Sequence, residues 1–370
     1  MAVRPAGNVT RHLVLLALLA SAGCALRRPE PDGSLAGLSL GWNRIPGGPG
    51  TGCAEDSTFA FFVHPGSRHP LVIYFEGGGA CWNSQNCDLH GRPTFDAQVD
   101  SSDDPSRGAG ILDLSNSRNP VREHSIVFVP YCTGDVFLGA RTVAYSVPGA
   151  MDTPERRFQI QHRGSVNAEH VLAWVFAHSP DPDLVFVTGS SAGAIPTPFY
   201  ASRLARRYPR ARIVQLGDAA GGYRARAVPG ILALWGATGV LGRDEAFRGI
   251  DSAAVTFETL YVVASRTTPR ITFAQDNSAA DAVQLRFLSM LGVRGKRLQQ
   301  LLVENLADIR RANPRFRTYP GPGEGHTILI RPEFYTLAVD GVAFRDWFAG
   351  LLGGARMPDV GQSQLAGSEP

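Results

Sequence analysis

The chain has 370 residues, 44% of them hydrophobic, and a formal net charge of +3. That is enough apolar material for a sizeable core, and the near-balance of charge excludes a nucleic-acid surface as its organising feature. Lysine occurs once, at Lys296 in the polar stretch RGKRLQQ, which sets Schiff-base chemistry aside.

In chain order, Arg4 and Arg11 flank an apolar run, Leu13–Ala20, followed by Ser21, Ala22 and Gly23. This is the pattern of a secretory signal over residues 1–23, and the run is too short to span a membrane. Cys24 after it is a candidate for lipidation. The expectation is therefore an exported protein, either secreted or periplasmic, or anchored as a membrane lipoprotein. Residues 24–39 read as a polar, Pro-containing leader or tether. Residues 40–352 read as one domain without repeats, and 353–370 as a disordered tail.

Cys53, Cys81, Cys87 and Cys132 remain once Cys24 is set apart. An even number in an oxidising compartment suggests two disulfides, and spacing alone leaves all three pairings open. The absence of CxxC and HExxH motifs argues against a zinc site, and no metal or cofactor is expected.

Short apolar runs at Leu71–Phe75, Ile126–Pro130, Leu184–Thr188 and Ile213–Leu216 read as buried strands. Leu260–Ala264 or Ile271–Ala274 supplies a fifth. Ser165–His178 reads as an amphipathic helix with Ser165 as N-cap and Val171, Trp174 and Val175 inward. Ala282–Leu291 and Arg297–Ala312 also read as helices, the second stopped by Asn313-Pro314. The alternation predicts a mostly parallel sheet with helices on both faces.

Gly189-x-Ser191-x-Gly193 directly follows one of these strands. A serine at a sharp strand-to-helix turn, framed by small residues, is a nucleophile elbow. Gly37-Leu38-Ser39-Leu40-Gly41 has the same spacing but no strand before it. Pro196 and Pro198 fall early in the helix expected after Ser191, and Pro198 is placed to kink it. Glu76-Gly77-Gly78-Gly79, after another strand, is suited to holding an oxyanion through backbone amides. The donors would be Gly78, Gly79 and Ala192. Of nine histidines only His326 follows Ser191, as expected for the base in a Ser–acid–His order. Asp218, Asp276 and Asp281 each follow a strand. Spacing prefers Asp276 and Asp281 for the acid and does not separate them.

Together YFEGGGACWNSQNCD (74–88), FVPYCTGDVFLGA (128–140), GSSAGA (189–194), AADAVQ (279–284) and EGHTILIR (324–331) resemble the pectin acetylesterase/Notum family of serine esterases, over about residues 50–335. The resemblance implies a single-domain α/β-hydrolase-like fold. It assigns Ser191 as nucleophile, His326 as base and Asp281 as acid, and Gly78, Gly79 and Ala192 as oxyanion donors. It also implies the disulfides Cys81–Cys87 and Cys53–Cys132. Two departures lie beside the acyl site. Gly79 and Ala80 stand where family members usually carry a tryptophan, with Trp82 the nearest aromatic, and Ala194 replaces a glycine.

The implied activity is metal-free hydrolysis of carboxylic esters, with an acylated glycan or a small ester as substrate. A lipid or acyl-protein esterase, an acyltransferase and a catalytically inactive carbohydrate-binding homologue are the alternatives.

Overall fold

The computed structural model describes residues 35, 37–67, 69–149 and 154–366. The signal-like residues 1–23, Cys24 and most of the 24–39 leader lie outside the described residues. Two strands precede the first expected one: β1 (Asn43–Pro46) and β2 (Ala60–His64), then β3 (Leu71–Phe75). Next come α1 (Ser84–Cys87), β4 (Ser125–Val129), and the antiparallel pair β5 (Arg141–Val147) and β6 (Arg156–His162). The centre of the chain holds α2 (Gly164–His178), β7 (Leu184–Ser190), α3 (Thr197–Arg207) and β8 (Arg212–Asp218). Then follow α4 (Val228–Leu234), α5 (Ala237–Arg243), α6 (Phe257–Thr267), β9 (Thr272–Ser278) and α7 (Ala282–Met290). The described chain finishes with α8 (Leu298–Ala312), β10 (Arg317–Gly321), the two-residue strands β11 (Ala338–Val339) and β12 (Val342–Ala343), and α9 (Phe344–Gly353).

Eight strands form one sheet in the order β1-β2-β4-β3-β7-β8-β9-β10. The six from β4 to β10 run parallel, and β1 and β2 are antiparallel at one edge. Parallel strands need crossovers, and the crossovers bury both sheet faces, which is why these strands are near-continuous apolar runs. Alternate residues feed two cores. Ile73, Val187 and Ile213 pack with α2, α3, α6 and α8 on one face. Val72, Tyr74, Phe186 and Val214 meet Phe344, Trp347 and Phe348 of α9 on the other. The architecture is that of an α/β-hydrolase-like fold, as expected.

Several local expectations are corrected. Ser165 does not cap α2: its hydroxyl donates to the Gly139 carbonyl, and the Gly164 amide is taken at 2.7 Å by Asp135 from a distant loop. Pro198 does not kink α3. Ser191–Gly193 form a 3₁₀ turn, and the helix starts only at Thr197, so Pro198 sits in the first turn, where no intrahelical amide is needed. The fifth strand is β9; Leu260–Ala264 lies inside α6, which opens on a Thr256/Thr259 capping box. The described part of the 353–370 tail is not frayed. Val360 and Leu365 are buried, Val360 N donates to the Thr318 carbonyl, and Trp347 Nε1 donates to Pro358. Two apolar residues and hydrogen bonds at both backbone groups of Thr318 seat this segment against β10.

Both disulfides implied by the family resemblance are present, Cys53–Cys132 and Cys81–Cys87, closing 79 and 6 residues. In the chain-entropy account the longer bridge stabilises by about 4.5 kcal/mol and the shorter by about 2 kcal/mol. Chemical denaturation should therefore show the Cys53→Ala/Cys132→Ala protein to be the less stable of the two double variants; the opposite order would reject that account. Among the described residues, no helix is long and apolar enough to cross a membrane.

Candidate active site

Ser191, Gly78–Gly79, Asp281 and His326 all lie just beyond the carboxyl ends of parallel strands, after β7, β3, β9 and β10 respectively. This is the edge of an open α/β sheet where ligands bind. Ser191 has φ 55°, the left-handed region that non-glycine residues seldom occupy. Such strain clusters at functional turns. The small framing residues have a direct cause: a Cβ on Gly189 would stand 2.5 Å from the Gly193 carbonyl oxygen, and one on Gly193 would stand 2.2 Å from that of Phe75. The second serine motif has no such context. Ser39 is exposed, with its hydroxyl on Asn43 Oδ1.

The glycine loop is pinned to the 94–96 segment. Ala80 N donates to Thr94 O and Asp96 N to Gly78 O, so Gly79 and Phe95 face each other as a bridge pair. The Gly78 and Gly79 amides have no acceptor among the described residues. Gly79 has φ +80°, and a Cβ there would stand 2.0 Å from Thr94 O, which explains glycine at this position.

The geometry separates the three aspartates that spacing left open. Asp281 is fully buried, and its Oδ2 meets His326 Nδ1 at 2.8 Å. Its Oδ1 caps α7 through Val283 N and Gln284 N, both at 2.9 Å, and Gln284 Nε2 donates to Oδ2 at 3.0 Å. Three backbone bonds, from Ala279, Ala280 and Ala282 to the 321–324 segment, hold the aspartate and histidine loops together. Asp218 and Asp276 are engaged elsewhere: Asp218 accepts from Ser190 and from the Ile328 and Leu329 amides, and Asp276 pairs with Asp218.

Ser191 and Ala192 border an apolar cavity of ≈ 40 Å³ whose walls include Trp82, Ile195, Tyr223, Trp235 and Phe287. Space of that size admits roughly three water-sized groups. Trp82 thus reaches the site although Gly79 and Ala80 are small, with its ring 6.4 Å from that of Phe287. Among the described residues no direct hydrogen bond joins Ser191 to His326; the Ser191 side chain instead interacts with the Tyr223 hydroxyl. Burial, then the charge of Asp281, raises the Tyr223 phenol far above its ordinary range, so it stays neutral. Tyr223 follows no recognised motif, and only its burial beside Ser191 reveals it. Cys81, Cys87 and His162 form the one cluster with metal-ligand spacing among the described residues, but its two sulfurs are joined in a disulfide.

The sheet and this strand-end site define an α/β-hydrolase-like protein. A family model described as Pectinacetylesterase matches residues 46–225. The palmitoleoyl-protein carboxylesterase NOTUM of Homo sapiens is 29% identical over 180 residues, covering 45% of this chain and 33% of that protein. The protein of the same name in Mus musculus is 28% identical over the same shares. The inactive palmitoleoyl-protein carboxylesterase notum1b of Danio rerio is 33% identical over 92 residues, covering 24% of this chain and 66% of that one. The match thus spans about a third of the length of the mammalian relatives. These matches bear out the resemblance to the pectin acetylesterase/Notum family read from the sequence motifs.

Proposed function

We propose that the protein is a serine carboxylesterase that removes acetyl or other short acyl groups from an ester, with an acylated glycan as the favoured substrate class. The Asp281–His326 pair at 2.8 Å and a strained serine that opens on an apolar cavity, both just beyond the carboxyl ends of parallel strands of one sheet, carry this reading. The family match supports ester hydrolysis.

In this mechanism Ser191 Oγ attacks the ester carbonyl while His326 Nε2 takes its proton, and Asp281 holds Nδ1 and stabilises the imidazolium. The carbonyl oxygen becomes an anion facing the amides of Gly78, Gly79 and Ala192. Collapse expels the alcohol, which leaves with the proton from His326. Water, deprotonated by the same imidazole, then releases the acid. The Ser191–His326 hydrogen bond forms with substrate in place, as catalytic hydrogen bonds often tighten only in the bound complex.

The narrow cavity favours short acyl groups over the palmitoleoyl group in the relatives' names. Across p-nitrophenyl esters, kcat/KM should fall by about tenfold or more between butyrate and octanoate, since excess methylenes have no room. A preference for palmitate would overturn the short-chain assignment while leaving the esterase reading intact. Two disulfides and the signal-like residues 1–23 support export. Intact mass of the exported protein would show whether Cys24 carries lipid.

One relative is named as inactive, which keeps a binding role as the second reading. Covalent labelling of Ser191 by a fluorophosphonate separates the two. A folded protein that takes no label would favour the binder.

A further inference from the structure

Two buried carboxyls take no part in the mechanism above. Ser190, Asp218, Asp276 and Tyr319 lie in one row across β7, β8, β9 and β10. The row is on the α9 face of the sheet, away from the apolar cavity. Asp218 Oδ2 accepts from Ser190 Oγ at 2.6 Å and from Leu329 N at 3.1 Å. The Ile328 amide reaches Asp218 Oδ1 and Oδ2 at 3.0 and 3.1 Å. Ser190 Oγ in turn accepts from the Tyr74 hydroxyl at 2.7 Å. One carboxylate therefore grips the residue before Ser191 and the residues two and three after His326.

With the Ser190 hydroxyl and the Ile328 and Leu329 amides donating to it, and Asp276 the fourth group against it, Asp218 is the ionised member of the pair. Burial raises both carboxyls, and the neighbouring Asp218 charge pushes Asp276 well above the ordinary carboxylate range. Asp276 Oδ1 is buried without a partner. An ionised carboxylate there would leave uncompensated charge in a low dielectric, whereas the neutral acid donates its proton to Asp218 and loses one weak acceptor contact.

We propose that Asp218 is a positioning residue that docks the His326 loop onto the Ser191 elbow, with Asp276 donating the hydrogen bond that holds Asp218 in place. The assignment rests on the Ser191–His326–Asp281 reading. Neither carboxyl borders the acyl cavity beside Ser191, although both line, with His326, a second cavity of ≈ 450 Å³. The grip on Ser190, Ile328 and Leu329 makes the alignment of nucleophile and base the property that the pair controls.

The test compares wild type, Asp218→Asn and Asp276→Asn on p-nitrophenyl acetate, with fluorophosphonate labelling and thermal melting alongside. An asparagine at 218 turns an NH₂ toward one of the four donors and breaks that grip. Its kcat should fall about 10- to 100-fold, as expected for a small misalignment, with KM within about twofold and labelling slowed in parallel. Asparagine at 276 still donates N–H to Asp218, so Asp276→Asn should keep kcat within about threefold of wild type. A folded Asp218→Asn protein with wild-type kcat, or an Asp276→Asn protein as impaired as Asp218→Asn, overturns the proposal. Should Asp218→Asn fail to fold, Ser190→Ala removes the elbow's link to Asp218, together with the acceptor of the Tyr74 hydroxyl, and leaves the His326 loop's amides on Asp218. Lower kcat at unchanged KM supports the proposal, and wild-type kcat in the folded variant rejects it. A wild-type protein that neither hydrolyses the ester nor takes the label rejects the esterase reading, and the proposal with it.

Discussion

Ser191→Ala is expected to lower kcat on p-nitrophenyl acetate by about 10⁴- to 10⁶-fold, with KM nearly unchanged and melting temperature within a few degrees of wild type. The size of the loss follows from the chemistry: without Oγ there is no acyl-enzyme, and only the amides of Gly78, Gly79 and Ala192 remain to stabilise a direct attack by water. The stability expectation follows from the turn. Ser191 sits at φ 55°, where any side chain with a Cβ is strained, so alanine adds no strain, while the buried Tyr223 hydroxyl loses its Ser191 partner. His326→Ala should cost a similar factor, and the double variant should cost little more than either one, because the two groups act as a unit. A Ser191→Ala protein as active as wild type would remove the basis for the esterase assignment.

Asp281→Asn should reduce kcat by about 10⁴-fold while changing stability by no more than about 1 kcal/mol, a shift of roughly 1–2 °C at this chain length. The carboxylate does two jobs that the substitution separates. As N-cap of α7 it accepts from the Val283 and Gln284 amides, and asparagine caps a helix as well as aspartate does. As partner of His326 Nδ1 it fixes the tautomer and balances the imidazolium, which an amide cannot do. If activity and melting temperature fall together, the residue's role is mainly structural. Wild-type kcat would mean that another group orients His326.

Much of this was legible along the chain because it depends on local chemistry. Parallel strands covered on both faces must be apolar throughout, so Leu71–Phe75, Leu184–Thr188 and Ile213–Leu216 announce themselves. A serine in a turn that crowds Phe75 and Gly193 must be framed by glycine, so Gly189 and Gly193 mark the elbow. Strands β1, β2, β5, β6 and β10 are not among the expected ones: the sheet's edge strands and the β5–β6 pair mix polar with apolar residues, whereas β2 (AFFVH) is an apolar run like the expected strands, and α9 lacks a cap signal. The α2 cap was missed for another reason: Asp135 reaches Gly164 from a distant loop, and a better local candidate, Ser165, was spent on Gly139.

The order and type of the reactive groups were written into the amino-acid order itself: a framed serine, a glycine run after a strand, and a single late histidine. Their partnerships were not. Asp218, Asp276 and Asp281 are equivalent as text, each a carboxylate shortly after a strand. Folding distinguishes them, because hydrogen bonds depend on distances of about 3 Å between loops that lie far apart in the sequence. Asp281 is carried to His326 by the paired 279–282 and 321–324 segments, while Asp218 is captured in the sheet by Ser190, Ile328 and Leu329.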